Sequence, residues 1–521
     1  MVMEYASQFF SMIGKILRFL FRPLRFTGLL YPAIALVFQE LLGSKLSLGT
    51  WLLAWLLCFY FCAQNMTRKF KRDPSFKLWK VLFNLARGAA GNKETNPDIH
   101  ADFVAEKPEG FIVGQQKDKW IRFADDYFFH SLTIGGSGSG KSNCIVLPLL
   151  GKEGTKLPCF VVDIKGELYE KTGKDGDKVF NPADPNAYGY DPFAFVSSDS
   201  MVLDINTIAA ALIPDNPEAK DEFWTLEARS LLGGMLLFLF KKGLTFTEAM
   251  REIQSQNVAD FVDVAVAEGD PDVCVLLGHF SGMADNTLSG VMATVSSKTM
   301  VFASDPDLMR CFNKTGDDCI SPDDLMNGRN IYLCIPEARL EVYKHATQLM
   351  IGQFLKYFEK QPDGHEPKVN FILDEFFRLG KLSSVQMGAA TLRSKGVRLH
   401  LICQSNSQVE ALYGKVGAKT LYDNCQVKVC LSASDPETQD YFSKLAGTWD
   451  REKKSFSSNQ SGMAGFGKDS NGISVSTEEK RVIKPEEIGR LSATNEALIF
   501  TPKGWGRVQK QYFYQHPEWQ H

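Results

Sequence analysis

Paired cysteines are missing from this sequence. Its 11 cysteines are an odd number, hold no C-x-x-C pair, and show no zinc-ligand spacing with the eight histidines. That excludes a disulfide framework or a structural zinc module and predicts reduced thiols. An excess of positive charge is missing too: 58 Lys plus Arg against 61 Asp plus Glu leave a formal net charge of −3, not the balance of a protein that coats DNA. Nor is the chain poor in apolar residues: 44% hydrophobic and 23% charged exclude intrinsic disorder over most of its length. What is present is size, since 521 residues are enough for roughly three to four structural units.

Charge is spread unevenly. Residues 1–80 carry 11 Lys plus Arg against 3 Asp plus Glu, and this basic front holds two apolar stretches, residues 26–42 and 46–63. In the second, Trp51, Leu52, Leu53, Trp55, Leu56, Leu57, Phe59 and Phe61 form an uncharged run. As a helix it would measure roughly 27 Å, near the ~30 Å hydrocarbon core. Gln39 and Glu40 interrupt the first stretch. Lys15, Arg18, Arg22 and Arg25 precede the pair and Arg68, Lys69, Lys71 and Arg72 follow it. The positive-inside rule therefore predicts a two-helix transmembrane hairpin with both flanks, and the bulk of the chain, in the cytoplasm. Before Pro23, the basic residues recur among Phe9, Phe10, Ile13, Ile16, Leu17 and Leu20, which predicts a basic amphipathic helix on the inner leaflet rather than a cleavable signal peptide.

The sharpest motif follows the short apolar run Leu132, Thr133, Ile134: Gly135-Gly136-Ser137-Gly138-Ser139-Gly140-Lys141-Ser142 satisfies G-x-x-x-x-G-K-[ST], and Asn143 leads into the apolar Cys144 to Leu147. Strand, loop and helix are the context that phosphate binding requires. Backbone N–H groups wrap the phosphates of ATP, Lys141 reaches the β and γ phosphates, and Ser142 holds Mg²⁺. A second element, Val369-Asn370-Phe371-Ile372-Leu373-Asp374-Glu375, predicts a buried strand ending in two carboxylates. Asp374 is expected to orient the Mg²⁺ shell and Glu375 to polarise the attacking water. Residues 396–404 read as another strand with Gln404 just past its end, a candidate γ-phosphate sensor, because ligands of open α/β sheets collect at the carboxyl ends of strands. Arg393, before that strand, is a candidate for a guanidinium acting on a neighbouring subunit's phosphate. Arg378 and Arg398 are rivals that spacing does not separate. In Phe160-Val161-Val162-Asp163-Ile164-Lys165-Gly166-Glu167-Leu168, Asp163 and Lys165 read equally as nucleotide or subunit contacts or as a structural ion pair.

Together these residues resemble the type IV secretion coupling proteins, the TraG/TraD group of membrane-anchored conjugation ATPases. The likeness rests on the hairpin, the Gly135 to Ser142 loop, the Leu373-Asp374-Glu375-Phe376 strand end and above all Asp163 to Leu168, which looks like the family's D-x-K-G-E-L signature. Gln404 and Arg393 match its γ-phosphate glutamine and proposed arginine finger. The resemblance implies an α/β fold: a RecA-like P-loop ATPase core with an all-α insertion domain. The expected divisions are 1–25 amphipathic, 26–65 transmembrane, 66–100 linker, 101–195 and 306–521 nucleotide-binding, and 196–305 all-α. Phe223, Trp224, Ala228, Leu231, Leu232, Met235 and Phe238 supply helical spacing in the insertion, where Trp224 and an Asn286-Thr287-Leu288-Ser289-Gly290 turn resemble family features.

The resemblance further implies a homo-hexameric ring in the bacterial inner membrane. It would pass single-stranded DNA with its relaxase, or a protein effector, to type IV secretion inner-membrane components. An FtsK-like double-stranded DNA pump and a receptor for protein cargo only remain as alternatives. Near the C-terminus, residues 455–477 predict a loop or hairpin, residues 484–488 the start of a short helix and residues 496–501 a final strand. The chain stops at His521 without the long tail many relatives use for docking, which leaves substrate recruitment open.

Overall fold

Short β-branched and aromatic runs set the strands. The computed structural model describes residues 97–214, 222–459 and 470–520, the side chains of 451–477 excepted. The amphipathic segment, the two apolar spans and most of the linker expected from the sequence lie outside the described residues. Seven strands form a parallel block in the order β10 (Val427–Cys430), β4 (Ser131–Ile134), β9 (Val397–Cys403), β8 (Val369–Leu373), β5 (Cys159–Asp163), β7 (Ile331–Cys334) and β6 (Lys178–Phe180). Most of their residues are buried on both faces, the condition under which parallel strands read as continuous apolar runs. Phe160 and Val162 of β5 enter one hydrophobic cluster and Val161 the other, as the two-residue period of a strand dictates.

On its other side β10 continues antiparallel through β13 (Glu496–Thr501), β14 (Gly504–Gln509), β2 (Phe111–Gln116), β3 (Lys119–Phe123) and β1 (Val104–Ala105), giving one mixed sheet. Residues 496–501 are thus not the final strand: Pro502 and Lys503 turn the chain back into β14. The pair β11 (Thr448–Asn459) and β12 (Ser470–Arg481) forms a separate antiparallel hairpin, followed by the short helix Pro485–Gly489.

Between β6 and β7 the described residues are mainly helical, with Met201–Leu212, Phe223–Lys241, Phe246–Ser255, Val258–Ala267, Pro271–Leu277, Asp285–Ser304 and Pro306–Phe312. Their starts are written locally. Asp270 and Asp305 accept the first free amides while Pro271 and Pro306 occupy the first turn, and Thr245 with Glu248 makes a capping box. Among the described residues one helix, Phe223–Lys241, is long and apolar enough to cross a membrane. Leu231, Leu232, Met235, Leu236 and Leu237 on it are fully buried in the core shared with the sheet. Asn286 to Gly290 form no turn; they lie in the first turns of Asp285–Ser304. Gly290 is tolerated there because the Trp224 ring lies where its Cβ would be, 2.8 Å away.

The amino-terminal edge of the parallel block is closed by buried polar groups. His400 bonds Ser131 Oγ at 2.8 Å and Asn370 Oδ1 at 3.3 Å, and the Leu399 N–H donates to His130 Nδ1 at 2.9 Å. Burial, aided by the nearby Arg393 charge, pushes His130 down to about 4; burial, with Arg398 and His130, holds His400 well below its ordinary value. Both rings are neutral when folded and titrate near 6.5 when unfolded, so the unfolded state gains protons first as pH falls. Stability is present above pH 6.5 and drains away toward the folded values, by about 2 kcal/mol for His130 at pH 5. Melting temperature should drop between pH 7 and 5, with a shallower slope in His130→Gln; parallel slopes would refute this account.

Candidate nucleotide site

The loop after β4 turns on glycines. Gly138 and Gly140 have φ of +73° and +96°, values that cost a side-chain-bearing residue steric strain. A Cβ on Gly140 would also stand 2.7 Å from Cys144 Sγ. Gly138 faces open space, and Ser137 and Gly138 are exposed, so the loop is free on the side where phosphates would be wrapped. Lys141 is 8% exposed, with Nζ donating to the carbonyls of Gly135 at 2.8 Å and Gly136 at 3.2 Å. The following helix departs from the expected α form: residues Ser142–Val146 are π-helical, the Leu147 N–H reaching Ser142 O, before α-helical Leu147–Leu150. Pro148, lacking an N–H, cannot bond the Cys144 carbonyl as an α-helix would require.

Strand register brings the acids to this loop. Ile134 pairs with Cys403 and Leu373 with Leu401, so β4, β9 and β8 end side by side and release Gly135, Gln404 and Asp374 at one edge. Glu375 stands in the left-handed region at φ 53°, with its N–H on Asp374 Oδ1 at 3.1 Å. Such backbone strain in a residue other than glycine is characteristic of functional sites. Gln404 Nε2 donates to Glu375 Oε2 at 3.3 Å, and Gln408 Nε2 to Gln404 Oε1 at 3.4 Å. Burial, then the Glu375 charge, pushes Asp374 up to about 6. Burial lowers Lys141 while Glu375 and Asp374 oppose it, which puts ammonium and carboxylates within electrostatic reach. The donor set fits Mg²⁺ with a triphosphate: a glycine-rich loop in which only the Gly135 and Ser139 amides are committed, to the Cys403 and Gly136 carbonyls, one cation, Ser142 and a carboxylate whose burial and charged neighbour favour taking up positive charge.

The remaining candidates separate. Asp163 caps the helix Glu167–Thr172, Oδ2 accepting from the Leu168 and Tyr169 N–H groups at 2.9 Å each. It makes no ion pair with Lys165, which is exposed and close enough to lower Lys141 further. Arg398 is buried at 1%, bonded to Asp125 and facing the rings of Phe128 and Phe129, so it is structural and not available to a neighbour. Arg378 pairs with Glu337 at 2.5 Å. Arg393 is exposed in the turn before β9, at the edge of the sheet opposite the loop, and does not join the cluster of its own chain. Two residues with no legible sequence signal complete the surroundings. Lys510, 2% exposed, donates to the Ser139 carbonyl at 3.1 Å, and Tyr512 packs on Gly140.

The model of the family described as type IV secretory system conjugative DNA transfer matches residues 85–521. The protein VirD4 of Agrobacterium fabrum is 25% identical over 403 residues, 74% of this chain and 58% of its own length. The conjugal transfer protein TraG of Rhizobium radiobacter is 26% identical over 395 residues, 71% of this chain and 60% of its own. The chain thus spans less than two thirds of either relative. Among solved structures, the plasmid coupling protein TrwB in complex with the non-hydrolysable ATP analogue ADPNP has a similar fold, with TM-score 0.61 and 20% identity over 82% of this chain and 94% of that one. TrwB in complex with ADP and Mg²⁺ gives 0.57 at 20% identity over 74% and 85%.

Proposed function

Because the chain belongs to the type IV secretory system conjugative DNA transfer family, we propose that it is an ATP-hydrolysing coupling protein. In this reading it is anchored in the inner membrane by residues 26–65 and drives a relaxase-bound single strand of DNA, or a protein effector, into a secretion channel. The observation that carries this reading is the convergence of Lys141, Asp374, Glu375 and Gln404 at adjacent strand ends. Mg²⁺ supplies charge neutralisation between the phosphates when bound. Ser142 and Asp374 would hold it, the Gly135 to Asn143 loop with Lys141 would bind the phosphates, Glu375 would take the proton of the attacking water, and Gln404 would contact the γ-phosphate. The TrwB complexes with an ATP analogue and with ADP and Mg²⁺ support that choice of ligand. Residues 101–195 and 306–521 serve as the nucleotide-binding halves and 196–305 as the helical insertion.

A homo-hexameric ring is the assembly that gives the exposed Arg393 a task, since it lies away from its own site and a second subunit would supply the phosphate it meets. ATP turnover by the full-length protein in detergent, with and without single-stranded DNA and across protein concentration, tests the whole reading. DNA stimulation rising steeply with concentration is the expected result. Turnover indifferent to DNA would overturn the DNA cargo in favour of protein cargo, and absence of turnover would overturn the motor.

A further inference from the structure

The catalytic groups all lie to one side of the phosphate loop. Asp374, Glu375 and Gln404 end β8 and β9, whereas β10, β13 and β14 lie on the other side of β4. A triphosphate laid along the loop with its terminal phosphate at Glu375 and Gln404 therefore points its nucleoside toward the second side. The segment leaving β14 fills that side. Lys510 buries its ammonium on the Ser139 carbonyl at 3.1 Å. Tyr512 places ring atom Cε1 3.2 Å from where a Cβ of Gly140 would stand, and its hydroxyl donates to Asn495 Oδ1 at 2.8 Å. Tyr514 then lies beside it, ring centroids 5.3 Å apart at 32°, and is 61% exposed.

An aromatic ring left in water beside a half-buried, hydrogen-bonded one is a surface on which a flat heterocycle can stack. We propose that Tyr512 and Tyr514 form the shelf that holds the nucleobase, with Lys510 fixing the shelf to the phosphate loop. The inference rests on the nucleotide-hydrolysing reading of the Gly135 to Ser142 loop and deepens it. Neither Tyr512 nor Tyr514 touches the reacting atoms, so they act on affinity and leave the chemical step alone.

The probes are Mg-ADP, which carries a base, and Mg-tripolyphosphate, which carries none, titrated calorimetrically into the full-length protein in detergent. Stacking on one aromatic ring accounts for about a tenfold change in affinity. Tyr514→Ala should weaken Mg-ADP by about that factor and leave Mg-tripolyphosphate unchanged, and Tyr514→Phe should bind both as the unmodified protein does. Tyr514 is a surface residue, so its truncation leaves the core intact. Unchanged ADP affinity in Tyr514→Ala, or equal weakening of both ligands, would overturn the shelf. Lys141→Ala separates the two levels: loss of both ligands supports the phosphate loop beneath the proposal, whereas full retention of both would overturn that underlying reading itself.

Discussion

Lys141→Ala and Glu375→Gln should each cut ATP turnover by about 10³-fold or more, and they should do so differently. Lys141 is the buried cation of the cluster, near both Asp374 and Glu375. Its removal takes away the charge that phosphates would meet, so nucleotide binding should fail together with turnover. Glu375→Gln keeps the size of the side chain and its place next to Gln404 but abolishes the proton acceptor. Turnover should collapse while KM for ATP stays within a few-fold, the pattern of an interaction made only in the transition state. Unchanged hydrolysis in either purified variant would sink the assignment of the site, and a Glu375→Gln defect confined to KM would sink the role given to that carboxylate.

The second large effect concerns stability. The Asp125 carboxylate accepts from Thr155 Oγ1 at 2.7 Å, the Lys156 N–H at 2.8 Å and Arg398 Nη1 at 3.3 Å, and its backbone carbonyl accepts from Arg398 Nη2. Arg398 Nε is already buried without a partner, and burial lowers the pKa of the group against the pull of Asp125. Asp125→Ala keeps the backbone carbonyl on Arg398 but removes the carboxylate that neutralises the buried guanidinium and holds Thr155 and Lys156, with a cost of about 2–3 kcal/mol. Urea unfolding should show the loss, and nucleotide affinity of the remaining folded protein should be unaltered. An Asp125→Ala protein as stable as the parent would show that Arg398 finds other partners.

The two arginines illustrate what the sequence carries and what it omits. The phosphate loop and the Asp374-Glu375 strand end are legible because their chemistry is packed into consecutive residues between local strand and turn signals. Arg393 and Arg398 are five residues apart and look equivalent on paper. All seven residues of β9 are buried, so alternation gives no outer face on which to place Arg398, and its fate depends on Asp125 and Phe128 arriving from before β4. Lys510 and Tyr512 were invisible for a related reason: they reach the loop only because β14 adds antiparallel to β13, which adds to β10. The Asn286 to Gly290 segment misleads in the opposite direction. Its composition is that of a turn, yet the glycine serves the approach of a tryptophan inside a helix.

The position of the helical insertion has a mechanical meaning. It leaves the sheet after β6 and returns at β7, two neighbouring strands at the outer margin. In the proposed motor, a pull on the helices that entered through the chain connections at that margin would cross β7 and β5 before arriving at β8. That strand ends at the carboxylates. If the chain is the motor proposed above, a displacement of the helices would reach the acids across three strands, β7, β5 and β8.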